Sequence, residues 1–492
     1  MSSLIIPLSV ELRPCLPTIV GNVDYLTLRQ RLEQIDELLH TSGVEQDFVE
    51  RALQRWTARS SRVPSAREQE QFQLRSRRAL RCTLLRTLLQ EDYRGFSCAL
   101  AGNPLYQWFC WIDALDQVRV PSKSELQRFA HWLEAGPMRL LIDGLLRVGI
   151  QRPKPLGLES AVDLEALFLD TTCLKADVHF PVDWVLLRDG VRTLMKAVKL
   201  IRREGLKARM EAPEVFLRRI NRLCIQMTHS RRQAQSQKAR KRVLRQMKRL
   251  VKVVGCHARR HRQLLAAHWE QTHWTRRQAD VVLRRLDQVL ELLPRAQKQA
   301  HERIIGGRQV DNARKILSLY EPDIHVVVRG KANAEVEFGN TVLVAENSQG
   351  IVMDYQIWQE QAPADVQVLV ESLERVVTRL GPVGAVATDR GFASQANTRG
   401  LREAGIFDGL CPRHPDQLRE RLKNPRFVRL QKRRAQTEAR ISILQRGFLG
   451  RPMRAKGFAH RELALAWGVL THNLWMFARL RKKKPKVLLQ AA

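Results

Sequence analysis

Two short apolar runs constrain this chain more than any other feature. Ala166-Leu167-Phe168-Leu169 stops on Asp170, and Val383-Gly384-Ala385-Val386-Ala387-Thr388 stops on Asp389. Such runs read as buried strands, and a carboxylate at the C-terminal end of a buried strand is held rigidly at the rim of a sheet. Strand signals recur at 324–328, 335–345 and 350–358, with a turn at Asn347-Ser348-Gln349-Gly350. Val366, Val370, Leu373, Val377 and Leu380 then mark one helix face, ending at Gly381-Pro382. After the run into Asp389 come a helix near 394–404 and a short strand at 405–411. Pro412, Pro415 and Pro425 break the chain before a basic helix bearing a third acid, Glu438. The order predicts an α/β fold, a mixed sheet flanked by helices.

The rest of the chain reads as helical. Leu26, Leu32, Ile35 and Leu38-Leu39 form one apolar stripe and Leu80, Leu84-Leu85 and Leu88-Leu89 another, separated by a polar linker at 57–67. Ser122, with Glu125 three residues on, predicts a capping box, and the 102–126 segment is compatible with a helix-turn-helix-like unit. Residues 191–265 carry 23 Lys or Arg against Glu204, Glu211 and Glu214, a surplus of 20 within a total net charge of +34. Like charge at that density repels itself unless phosphates neutralise it, so nucleic acid is the expected partner. Val243, Met247, Leu250 and Val254, and again Leu283, Leu286, Leu290 and Leu293, form heptad-like seams, which predict a basic helical insertion and, with it, self-association.

Several classes are excluded. The eight cysteines form no Cys-x-x-Cys pair, so neither a disulfide framework nor a zinc knuckle is expected. His257 and His261 lie among Arg259, Arg260 and Arg262 and read as part of a solvated basic helix rather than a metal site. Residues 1–10 have no secretory pattern, and the apolar stretch 463–477, broken by Thr471, His472 and Asn473, reads as a core-packed helix. The expectation is a protein without membrane contact, in the cytoplasm.

Cleaving or transesterifying a phosphodiester needs an activated oxygen nucleophile and relief of charge on the phosphoryl group and leaving oxygen. Two divalent cations about 3.5 to 4 Å apart supply these when carboxylates hold them, and oxygen ligands suit Mg²⁺ or Mn²⁺. Asp170, Asp389 and Glu438 are the candidates for both the metal-binding and the catalytic role, with Asp177, Asp183, Glu403 and Glu420 as rivals.

These residues carry a resemblance. Leu167-Phe168-Leu169-Asp170-Thr171-Thr172, then Ala387-Thr388-Asp389-Arg390-Gly391-Phe392, then Arg434 and Glu438 in the pattern Tyr-x2-Arg-x3-Glu-x6-Lys, resemble the DDE transposases of bacterial insertion sequences. Gln431 and Gln445 stand where that pattern has Tyr and Lys, and Arg446 follows the lysine position by one. The resemblance implies a ribonuclease H-like catalytic core, two Mg²⁺ or Mn²⁺ ions, and binding and cleavage of terminal inverted repeats followed by strand transfer to target DNA. It also implies a homodimer or larger synaptic complex, associated with the nucleoid of a bacterial cytoplasm.

The expected organisation is an N-terminal helical region for DNA binding or dimerisation at 1–95 and a helix-turn-helix-like pre-catalytic segment at 96–155. The catalytic domain begins at 156–189, is interrupted by the basic helical insertion at 190–305, resumes at 306–478 and ends in a basic tail at 479–492. Arg434, Arg440 and Arg446, with Arg240, Lys241, Arg242, Arg245, Lys248 and Arg249 of the insertion, are the expected DNA contacts. The two glutamines leave open a non-catalytic DNA-binding relic of a transposase. A structure-selective nuclease of the same fold is the third reading.

Overall fold

A computed structural model describes residues 13–112, 117–230, 236–331 and 334–481. The N-terminal stretch before residue 13 and most of the basic tail lie outside the described residues. Two compact units divide the chain: Met1–Leu174, Thr341–Ile357 and Ala362–Ala492 form one, Lys175–Asn340 and Trp358–Gln361 the other.

The first unit opens with α1 (Val23–Thr41), α2 (Val44–Arg59), α3 (Ala66–Leu89), α4 (Tyr93–Gly102), α5 (Pro104–Phe109), α6 (Lys123–Ala130) and α7 (Ala135–Gln151). Local signals place their starts. The Ser65 hydroxyl accepts from the Glu68 amide while Glu68 reaches back, closing a capping box on α3. Ser122 caps α6 as expected, but the Glu125 carboxylate pairs with Arg75 at 3.0 Å. Leu32, Ile35, Leu38 and Leu39 of α1 and Leu80, Leu84 and Leu85 of α3 are buried, whereas Leu26, at the start of its stripe, is exposed and Leu88 and Leu89 are half-buried. Next to Leu80, Arg81, 1% exposed, is held by Glu45, Asp36 and the Phe109 carbonyl.

Next come β1 (Leu167–Lys175) and the four long helices of the second unit: α8 (Asp183–Arg203), α9 (Pro213–Ser230), α10 (Ser236–His268) and α11 (Arg276–Ala300). The insertion is therefore a four-helix bundle, and it begins at Asp183, seven residues before the expected boundary. Its core holds Leu187, Leu194, Phe216, Met247, Val254, Leu286 and Leu293. Both heptad-like seams are spent inside this core, so they carry no argument for a dimer. His261 corrects a second expectation. It is fully buried, its Nδ1 lies 2.8 Å from the His257 carbonyl, and burial lowers its pKa. Its place on α10 is an inward-facing core position, not a solvated one.

The remaining elements are β2 (His325–Lys331), β3 (Ala334–Asn347), β4 (Val352–Ile357), α12 (Asp365–Leu380), β5 (Ala385–Thr388), α13 (Gln395–Glu403), β6 (Phe407–Leu410), α14 (Pro415–Arg421), α15 (Pro425–Arg434), α16 (Thr437–Leu444) and α17 (Phe458–Leu480). The strands form one mixed sheet in the order β2-β3-β1-β5-β6, with β4 also paired to β3. β2 and β4 run antiparallel to successive halves of β3, whereas β1/β5 and β5/β6 are parallel. The expected α/β fold with a mixed sheet and flanking helices is present.

β1 departs from expectation in one respect that matters. The strand does not end at Asp170 but continues through Thr171-Thr172-Cys173-Leu174 to Lys175. β-Branched threonines suit a strand, and Thr172, Cys173 and Leu174 are buried, so packing carries the strand past the acid. β5 does end at Thr388.

Two devices fix the helices to this sheet. α17 is buried along most of its length, from Leu463 to Ala478, and Asn473 clasps the Val352 backbone of β4, accepting from its N–H at 3.0 Å and donating to its carbonyl at 2.8 Å. Asp354 of β4, with its side chain fully inaccessible, accepts from Arg139 of α7 and from Ser372, Arg375 and Arg379 of α12. No helix among the described residues is long and apolar enough to cross a membrane.

Candidate active site

The register of β1 on β5 builds the site. Leu167 faces Val386 and Phe168 faces Ala387, so the same register carried two residues further sets Asp170 beside Asp389. Side chains on a strand alternate, so residues two apart share a face. Phe168, Ala385 and Ala387 pack with Leu430 of α15, and Asp170 and Asp389 therefore face that helix too. One turn beyond Leu430 the helix presents Arg434. Its Nη2 lies 3.7 Å from Asp170 Oδ2 and 3.5 Å from Asp389 Oδ2. These are ion-pair distances, well beyond the roughly 2.7–2.9 Å of a charge-assisted hydrogen bond. The Arg434 Nε is buried and has no hydrogen-bond partner.

Asp389 folds its own loop. Its Oδ1 accepts from the Gly391 N–H at 2.9 Å, an Asx turn that aims the carboxylate back over the strand end. Gly391 is needed there for closeness rather than for a left-handed backbone. A Cβ on it would lie 2.9 Å from Asp365 Oδ2 and 3.0 Å from Asp389 Oδ1. Asp365 is thus a fourth carboxylate beside the site, and its Oδ1 accepts from the Thr171 hydroxyl at 3.0 Å. It opens α12 behind no apolar run, and its one signal in the sequence is an acidic helix start, where aspartate is ordinary.

Asp170 is destabilised as an anion by its surroundings. Burial pushes its carboxyl up to about 6; the Arg434 guanidinium opposes the rise, and the nearby charges of Asp389 and Glu438 add to it. Glu438 is exposed in the first turn of α16, within electrostatic reach of Asp170.

Arg434 and Glu438 do not share one helix as the sequence suggests. The chain turns at Ala435-Gln436 between α15 and α16. Buried Glu346 of β3 holds both sides of that turn, accepting from Arg433 Nη1 and Nη2 and from Thr437 Oγ1, each at 3.0 Å. Gln431 donates through Nε2 to the carbonyls of Thr388, at 3.1 Å, and Gly409, at 2.6 Å. Gln445, 7% exposed, donates to Thr172 Oγ1 at 3.1 Å and to the Cys173 carbonyl at 3.2 Å. Arg446, one residue later, is exposed, so the inward place belongs to Gln445 and not to the arginine that follows it.

The expected DNA contacts fall into two groups. Arg440 is half-buried, with Nη1 3.5 Å from the Gln349 carbonyl and its guanidinium against Gly350, so it braces the β3–β4 turn. In the bundle, Arg242, Arg245 and Arg249 are exposed on α10. Lys241, Arg240 and Lys248 are half-buried, Arg240 over the Trp184 ring and Lys248 Nζ 3.2 Å from His301 Nδ1. The rival acids stand elsewhere. Buried Asp183 is bound by Arg303 and Gln299, Glu420 pairs with Lys423, and Asp177 and Glu403 are exposed.

The donor set of Asp170, Asp389 and Glu438 is all oxygen, which suits Mg²⁺ or Mn²⁺ in kind. Among the described residues, however, no group of three or more His, Cys, Asp or Glu side chains is arranged to hold a metal ion. The positive charge between the two aspartates is the guanidinium of Arg434. Compared with known proteins, the chain matches no family model, no curated protein and no solved structure.

Proposed function

We propose that the chain is a metal-dependent DNA transposase with a ribonuclease H-like core, which binds terminal inverted repeats, cleaves at their ends and joins them to target DNA. The observation that carries this reading is the pairing of Asp170 with Asp389 at the end of β5, facing an arginine that makes only long contacts to both. Two aspartates forced together on one sheet face oppose each other at neutral pH, an arrangement that a ligand cation relieves. The mixed sheet with its parallel β1/β5/β6 side supports the ribonuclease H-like core.

In this reading Asp170, Asp389 and Glu438 would hold Mg²⁺ or Mn²⁺, which supplies charge relief on the phosphoryl group and an activated oxygen nucleophile. Arg434, with an unpaired Nε, would take a DNA phosphate by a bidentate contact. The exposed arginines of α10 would neutralise backbone phosphates. Asp365 would fix Thr171, and with it the strand next to Asp170. A synaptic dimer belongs to this function because two ends must be joined.

One observation favours a second reading, a DNA-binding protein without catalysis: the aspartates are bridged by a guanidinium, and among the described residues no carboxylate set is arranged around a metal position. Incubation with Mg²⁺ and a duplex taken from the DNA flanking the coding region separates the two. The enzyme reading expects nicks at discrete ends that vanish in Asp389→Asn while the duplex is still bound. Binding without cleavage by the unaltered protein leaves only the second reading.

A further inference from the structure

Gln431 and Gln445 are the two positions where the third motif departs from its pattern, and both are fully engaged. Each stands seven residues from Glu438, one on either side, which is two helical turns. Each amide nitrogen has two N–H donors, and each meets two acceptors. Gln431 bonds the carbonyl of Thr388, the residue before Asp389, and the carbonyl of Gly409 on the neighbouring strand. Gln445 bonds the Thr172 hydroxyl and the Cys173 carbonyl, two and three residues after Asp170. The segment that carries Arg434 and Glu438 is thereby fastened at one end to the strand of Asp389 and at the other to the strand of Asp170.

We propose that Gln431 and Gln445 are positioning residues that set Glu438 and Arg434 against the two aspartates; the inference rests on the reading of the site as a phosphodiester-cleaving centre. The segment needs such fastening because it is not one rigid rod. It turns at Ala435-Gln436, and it widens into a π-helical turn at Gln445–Leu449. A helix interrupted twice transmits position poorly, so one fixed point before the first interruption and one where the second begins decide where Glu438 stands. Glu346 holds the first turn from β3, a strand that carries neither aspartate. The glutamines refer the segment to β1 and β5 themselves. Glutamine fits this role because it is neutral, adds no charge beside crowded carboxylates, and offers two donors to acceptors on the strands.

The test uses the full chain with Gln431→Met and Gln445→Met, which keep side-chain length and remove the donors. Two readings are taken. Hydrogen exchange of the 437–449 amides, without metal, is expected to rise about tenfold in each variant while α17 stays protected. In cleavage of the flanking duplex, the Mn²⁺ concentration for half-maximal rate is expected to rise about tenfold, with the maximal rate recovered at high Mn²⁺ and duplex affinity unchanged. Asp389→Asn, by contrast, is not recovered at any Mn²⁺ concentration. Raised exchange with an unaltered Mn²⁺ dependence would make the glutamines merely structural and overturn the proposal, as would unaltered exchange. If the wild-type chain does not cleave, the reading of the site fails, and unaltered exchange would then sink the fastening as well, whereas raised exchange would sustain it. Should a methionine variant not fold, asparagine at the same position, whose amide falls one methylene short of its acceptors, gives the same two readings.

Discussion

Replacing Asp170 with asparagine should make the metal-free protein more stable near pH 8 and leave it unchanged near pH 3.5. The carboxyl ordinarily titrates at 3.8 and here at about 6, chiefly because it is buried, with Arg434 opposing and Asp389 and Glu438 reinforcing the shift. Between those two values the folded chain holds a proton that the unfolded chain has lost. Stability therefore falls as pH rises through the window from about 4 to about 6, and stays lowered above it. At 1.36 kcal/mol per unit, the ionised carboxylate costs on the order of 3 kcal/mol at pH 8. With 15% of the side chain exposed, that figure is an upper bound. Asparagine keeps the shape of the protonated acid and never ionises. Urea unfolding in EDTA at pH 8 and pH 3.5, comparing midpoints, measures the difference. A midpoint for Asp170→Asn below that of wild type at pH 8, or an equal displacement at both pH values, would refute the reasoning and make Asp170 a stabilising carboxylate.

Four other outcomes follow. Gly391→Ala drives a methyl into the Asp365 and Asp389 carboxylates, and should lower cleavage by about 10² or more with a stability loss of only about 1–3 kcal/mol, measured by cleavage rate against urea midpoint. Arg379→Met removes a partner from both Asp354 and Asp143 and should destabilise the chain by about 3 kcal/mol. Asp354 itself, whose burial is outweighed by hydrogen bonds and charge from Arg375, Arg139 and Arg379, titrates below its ordinary value; its contribution should persist above about pH 4 and disappear as pH falls through the lowered pKa, as an acid-unfolding series would register. Changing Arg242, Arg245 and Arg249 together to Ala should flatten the salt dependence of duplex binding by up to about three in log–log slope, whatever the duplex sequence.

Much of the sheet is legible in the sequence because its strands announce themselves. Apolar runs and alternation mark β2 to β6 within a few residues, the Asn347–Gly350 turn separates β3 from β4, and Gly381 ends α12. Asp170 lies inside β1 rather than at its end because apolar character is not the same as strand character: threonines that pack well prolong a strand that composition alone would end. The heptad-like seams are buried stripes, as their spacing says, yet they are no surface for a second chain, since a stripe does not say whose helix it faces. Asp365 shows in the sequence only as an ordinary acidic helix start, because its approach to Asp389 across Gly391 is a matter of three-dimensional closeness between segments 24 residues apart. Gln431 and Gln445 are visible as departures from a motif. Their hydrogen bonds to strand ends depend on how α15 and the π-helical turn lie on the sheet, which no spacing encodes.

The central claim is that Asp170, Asp389 and Glu438 jointly grip divalent cations against DNA. Anomalous diffraction from crystals of the duplex complex grown with Mn²⁺ tests it most directly. The account predicts manganese density between the carboxylates of Asp170 and Asp389, with Arg434 moved onto a phosphate. Duplex-bound crystals in which the guanidinium still bridges the two aspartates, and manganese binds elsewhere or nowhere, would contradict it.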